Sequence, residues 1–347
     1  MSEKLLPFKK SPVIGFLGHA YVLGVLTNYE ECMPWFYNNY IQLYISDFYL
    51  NLNEYWLDFF PDILMLFSGV PWLEYKSSDK VELRNNDTDI NEYVMGCIDN
   101  GFYFSAYVDE FYVPSARAYK IRHYTHDIMI YGYNLEEKTF NFAGFDKNHN
   151  FHPDKISFEN FDTAYNEPVK QKHQNYINMF RKIDNLDKSK CDFNLSFVMD
   201  ILNDYLNSIN SSGKLREKSR EEDEGAYGMK IYEHLIRYIE LLGKEEINPD
   251  IRPFHILWEH KKCMVMRLKY MQENGYMDTS SSSCAAYMEL EGKMFSLRNV
   301  FLKYLISKDA KIAERIKTSL KEIAVKEQEI IKNMIGELNV KNNMSYT

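Results

Sequence analysis

The chain has 347 residues, 45% of them hydrophobic and 15% aromatic, enough for one large or two smaller buried cores. A formal net charge of −9 lacks the basic excess that non-specific nucleic-acid binding needs, though it suits a small amine or cationic substrate. Five scattered cysteines without a CxxC pair argue against a disulfide framework or a zinc site. No apolar run reaches membrane-spanning length and the N-terminus has no signal-peptide core, so the expected location is the cytoplasm.

The first predicted helix covers 34–46, entered through Thr27-Asn28-Tyr29-Glu30-Glu31-Cys32-Met33-Pro34. Pro34 suits a first helical turn, where its missing N–H costs nothing. Cys32 would then sit at the positive end of the helix dipole, which favours a thiolate over a thiol. Glu54–Phe60 is apolar and ambiguous. A second helix is expected at 90–98, and strands at 102–108, 126–133 and 139–145, the last two joined as a hairpin through 134–138. Asp146-Lys147-Asn148-His149-Asn150 reads as a turn.

From about 170 the pattern is helical, with helices expected at 192–207, 226–243, 249–274 and 283–337. Ser208–Glu224, rich in Ser, Gly and mixed charge, reads as a mobile loop, and the Asn-rich tail as frayed. The expected class is α+β: a unit of short helices and strands over 1–165, then a helical domain over 166–347. The long C-terminal helix would serve either a homodimer or its own core.

Cys32 is the strongest candidate nucleophile; a buried structural thiol is the bland alternative. His123 and His126, three apart, face opposite sides if both lie on the strand, so a joint metal site is not expected. His126, leading into the apolar run, is the better general base. The group orienting it would be Asp146 or Asn141 on the following strand, or Asp109 before it, with Asp146 preferred. Asn28 and the Cys32 N–H are the candidate oxyanion donors. Cys97 reads as packed, and His255 and His260 fall on different helix faces. P-loop, GxGxxG and HExxH motifs are missing.

Cys32 before an aromatic helix, Val108-Asp109-Glu110-Phe111-Tyr112-Val113-Pro114, and His123-Tyr124-Thr125-His126-Asp127-Ile128-Met129-Ile130-Tyr131-Gly132-Tyr133 together resemble the papain-like cysteine-peptidase homologues of the butirosin-pathway acyltransferase type. The resemblance covers roughly the first half of the chain. It implies a papain-like core over 1–165, a cysteine-bearing helix packed on a small antiparallel sheet, and an amide-forming acyltransferase of antibiotic biosynthesis. Such an enzyme moves an acyl group from the phosphopantetheine of an acyl or peptidyl carrier protein, through Cys32, to a small amine. It implies no metal or other cofactor. Hydrolysis of a peptide or thioester, and non-catalytic carrier-protein binding, are the rival readings. One departure stands out: papain-like peptidases place a glutamine shortly before the nucleophile, and the first glutamine here is Gln42.

Overall fold

The structure is a computed structural model that describes residues 2–46, 56–60, 66–167, 172–184, 191–215 and 225–344. It is α+β, as expected, and packs as two units. The first is Met1–Cys32 with Leu64–Asp187; the second is Met33–Ile63 with Lys188–Thr347. The expected division near residue 165 is therefore corrected at both ends. A strand at 176–182 completes the first unit's sheet, and the segment after Cys32 belongs with the helical half.

The first unit is built on seven strands: β1 (Glu3–Leu5), β2 (Leu73–Asp79), β3 (Tyr103–Asp109), β4 (Thr125–Asn134), β5 (Thr139–Phe145), β6 (Phe151–Ser157) and β7 (Tyr176–Lys182). All pair antiparallel in the order β2-β7-β3-β4-β5-β6, with β1 also against β4. The β4–β5 hairpin falls where the alternation placed it. In the β3–β4 register His126 lies opposite Val108, and Thr125 opposite Asp109.

The helix Leu17–Leu26 is buried on every side. It is apolar all round, so it carries no amphipathic period and the periodicity reading passes over it. Its C-terminal carbonyls are capped by side chains, Thr27 Oγ1 on Leu23 O (2.6 Å) and Asn28 Nδ2 on Gly24 O and Val25 O (2.7 and 2.9 Å). The helices Ile90–Asp99 and Phe158–Asn166 begin with side-chain caps from Asp89 and Ser157. Their buried faces join the core of β3, β4 and β5 through Val94, Ile98, Phe161 and Tyr165.

Lys80 opens the short helix after β2 with its side chain fully buried. Its ammonium nitrogen donates to Tyr107 O and, at 3.0 Å, to Tyr165 O, 4.3 Å from the centroid of the Tyr165 ring. Burial, aided by nearby Arg84, pulls its pKa down to about 7. An unfolded lysine keeps its proton to about pH 10.4. Between these values the unfolded chain binds more protons than the folded one, so this group makes stability rise with pH. The expected gain from pH 7 to pH 9 is about 2 kcal/mol. Urea melts at the two pH values should show it in the wild type and lose it in Lys80→Met.

The second unit holds a three-stranded sheet (Leu43–Ile45, Leu57–Phe59, Ala226–Tyr227) and the helices Met33–Asn39, Leu195–Asn207, Ile231–Gly243, Arg252–Glu273, Ser283–Ser307 and Ala310–Met344. The helix expected over 34–46 thus ends at Asn39 and gives way to a strand. That expected over 283–337 is two helices, broken where Lys308 takes a left-handed φ of 54°. Residues 54 and 55 of the ambiguous 54–60 segment, 216–224 of the expected mobile loop, and 345–347 of the tail lie outside the described residues.

A polar network crosses this helical core. Glu327 is fully buried and accepts from Lys261 Nζ (2.6 Å), Tyr232 OH (2.6 Å), Tyr287 OH (3.1 Å) and Tyr205 OH (3.2 Å). Lys261 also reaches His260 Nδ1 at 3.0 Å, and His260 Nε2 donates to Ile41 O at 2.8 Å. Burial, then the Lys261 charge, pushes the His260 pKa well below its ordinary value, so that imidazole is neutral.

Candidate active site

The outer end of the β3–β4 pair carries two histidine–carboxylate pairs. β3 ends at Asp109 and runs into a single 3-10 turn, Glu110–Tyr112, capped by Asp109 itself. Asp109 Oδ1 accepts from the N–H of Phe111 and of Tyr124, each at 3.0 Å, and Oδ2 lies 2.5 Å from His123 Nδ1. Glu110 N donates to Tyr124 O, and Glu110 Oε1 lies 2.9 Å from His126 Nδ1. Two adjacent acidic residues thus hold two histidines three apart, because the antiparallel register brings the end of β3 to the start of β4.

The two pairs differ in exposure. The His123 side chain is 61% exposed and stacks on Phe111 (centroids 4.5 Å apart); the His126 side chain is 30% exposed, between the rings of Tyr124 and Phe145. Both carboxylates are nearly covered. β4 begins at Thr125, so His123 precedes the strand and the expected alternation does not separate the two rings. Next to His126, Asp127 is half-buried, and desolvation raises its carboxyl pKa. The Tyr21 hydroxyl of the helix Leu17–Leu26 donates to Asp127 O at 3.0 Å.

The structure does not bring Cys32 to His126. Cys32 ends a 3-10 turn, Glu30–Cys32, directly before the Met33–Asn39 helix, as the local sequence predicts, but it is 1% exposed and its N–H donates to Tyr29 O. Neighbouring residues fix its place. The Lys182 ammonium lies 4.7 Å from the Tyr29 ring centroid and 3.1 Å from Glu31 Oε1, beyond the register where Phe180 meets Tyr103. A groove of about 450 Å³ at this end is lined by Tyr29, Glu74, Asn100, Tyr103, Arg181 and Lys182. Tyr103 and Val108 are five residues apart on one strand, about 16 Å at the usual rise. Cysteine and histidine therefore sit at opposite ends of β3. A thiolate must reach within hydrogen-bonding distance of its base to be activated by it.

The other candidates also have local employment. Asn28 Nδ2 closes the helix Leu17–Leu26, and the Cys32 N–H is bonded, so neither serves as an oxyanion donor to an attack beside His126. Asp146 binds its own turn, accepting from Asn148 N and Asn150 N at 2.8 Å each, and faces His152 Nε2 at 3.5 Å. The Asn150 amide, first among those bonds, holds its pKa low. Asn141 pairs with Gly132, six residues from His126, and its buried Oδ1 has no hydrogen-bond partner among the described residues. Asp109 does orient a histidine, but it is His123. Glu110 is the residue that sequence reasoning passed over; the Asp109-Glu110 doublet was its signal.

The remaining cysteines read as packed thiols. Cys97 lies 3.7 Å from Met179 Sδ, and burial pushes its pKa up to about 11 and that of Cys263 up to about 12. His255 and His260 turn to different partners, Glu259 with Arg298 and Ile41 O with Lys261. Among the described residues no group of three His, Cys, Asp or Glu is placed to hold a metal ion, and no helix is long and apolar enough to cross a membrane. Comparison with known proteins finds no matching family model and no matching curated protein.

Proposed function

We propose that the first unit forms amide bonds by direct acyl transfer, from the phosphopantetheine thioester of a carrier protein to a small amine, at His126 and without an acyl-cysteine. The observation that carries this reading is the 2.9 Å contact of His126 Nδ1 with the nearly covered Glu110 carboxylate. A carboxylate on Nδ1 fixes the Nδ1–H tautomer and makes Nε2 the basic nitrogen. It also steadies the imidazolium that forms as a proton is taken up.

The step balances without another reagent. The amine nitrogen attacks the thioester carbonyl and passes its proton to His126 Nε2. The tetrahedral adduct then expels the phosphopantetheine thiolate, which recovers that proton. A C–N bond forms, a C–S bond breaks, and the histidine returns to its starting state. Hydrolysis differs only in the acceptor, water in place of the amine.

A second reading, a carrier-protein-binding unit without catalysis, draws support from the burial of Cys32 at the far end of β3 from His126. A thiol-release assay with an acyl thioester, run with and without added amine and with product analysis, separates the three. Amine-dependent release with amide product supports transfer. Release without amine points to hydrolysis. No release beyond background defeats both catalytic readings.

A further inference from the structure

The edge that carries His126 is basic in an acidic chain. Phe111 to His126 contains Arg117, Lys120 and Arg122 and no Asp or Glu, whereas the whole chain has 50 acidic residues to 41 basic ones. The 146–150 turn adds Lys147, whose N–H donates to Ser115 O at 2.9 Å, and Arg117 reaches His149 Nε2 at 2.6 Å. The two loops therefore form one surface. Of the acids beside this edge, Asp109 and Glu110 turn to the histidines and Asp146 to its own turn amides, while Glu167 accepts from the Tyr112 hydroxyl at 3.1 Å at its margin. All four cations are exposed.

The surface is preformed and partly apolar. Lys120 holds a left-handed φ of 53°, with its N–H on Phe111 O at 3.2 Å and its ammonium 5.0 and 5.2 Å from the Phe111 and Tyr112 ring centroids. The Arg122 guanidinium lies 5.3 Å from the Tyr124 ring centroid. Aromatic faces thus present the charges outward at little entropic cost. Between them Ile121 is 77% and Tyr124 46% exposed, giving an apolar centre with a cationic rim.

We propose that this edge docks an acidic protein domain, the carrier of the acyl thioester, and delivers its thioester to His126. The inference rests on the acyl-transfer reading for the partner's role. Charge complementarity is what commits it to an acidic domain: a chain of net charge −9 repels such a partner on average, and a local basic face offsets that repulsion.

The test uses the full chain and a fluorescently labelled, phosphopantetheinylated acyl carrier protein of strongly negative charge, with binding read by anisotropy. Arg117→Glu/Lys120→Glu/Arg122→Glu should weaken binding by on the order of tenfold or more, and added salt should weaken wild-type binding in parallel. A charge-reversal control on the helix Ala310–Met344, Lys321→Glu/Lys332→Glu, should bind as the wild type does. Unchanged binding in the triple variant, an equal loss in the control, or a tighter grip on duplex DNA than on the carrier would each overturn the proposal. Turnover of a small acyl N-acetylcysteamine thioester needs no docking, so it reports on His126 chemistry separately. A triple variant that processes this thioester normally while losing the carrier protein would confirm that the surface serves docking alone.

Discussion

His126→Gln lowers the rate of amide formation by about 10²–10⁴-fold with little change in donor binding. That is the range a positioned general base contributes. Glutamine fills similar space and can keep a hydrogen bond to Glu110, so the fold should persist and the loss should appear in kcat. Glu110→Gln should act in the same direction through the histidine: it removes the charge that steadies imidazolium while preserving the shape of the pair. Cys32→Ala should leave kcat within a few-fold of wild type, its effect confined to whatever stability a buried thiol contributes. Steady-state kinetics on these three variants separates a histidine mechanism from a cysteine one. A silent His126→Gln beside an inactive Cys32→Ala would reverse the assignment.

The largest effect on stability is expected in the other unit. Glu327→Leu strips the partner from a fully buried Lys261 ammonium and leaves three tyrosine hydroxyls without their common acceptor. Breaking a buried pair in this way typically costs about 3–5 kcal/mol. The pKa of Lys261 is already lowered by burial and held up against it by Glu327, so removing the carboxylate should drive the lysine towards its neutral form. Lys261→Met in the same chain should recover part of the loss, because a well-packed apolar pair avoids the uncompensated charge. Chemical denaturation of both single variants and the double variant gives the coupling. Additive losses would mean that the two groups do not sense one another.

What the sequence disclosed and what it hid divide along physical lines. The strands at 103–109, 125–134 and 139–145 were legible because local alternation and a turn-rich hairpin specify them without help from distant residues. The helix Leu17–Leu26 was not, since a segment buried on all sides shows no period and its two glycines lower helix propensity. The break at Lys308 carries neither Gly nor Pro, and its one local signal is Asp309, whose side chain accepts from Lys311 N at 2.8 Å to cap the second helix.

The site follows the same division. The polar entry Asn28–Pro34 correctly marked a turn leading into a helix at Cys32. Which strand end that turn lies beside is a long-range property, and a papain-like chain order alone did not determine it. Pairing of His126 with Glu110 needed the register of β3 against β4, which places the Asp109-Glu110 doublet beside the start of β4. Had both strands been paired on paper, with Val108 opposite His126, the doublet would have emerged as the natural source of an orienting carboxylate. Asp146 and Asn141 were drawn from the strand on the other side of β4, where Asp146 is committed to its own turn and Asn141 lies six residues along from His126.

Mass spectrometry of the intact protein, quenched during turnover with acylated carrier protein and amine, bears most directly on whether the acyl group ever rests on this chain. Direct transfer at His126 predicts amide product accumulating while every cysteine, Cys32 included, keeps its unmodified mass. An acyl adduct on Cys32 that forms before product and disappears when amine is added would contradict the account.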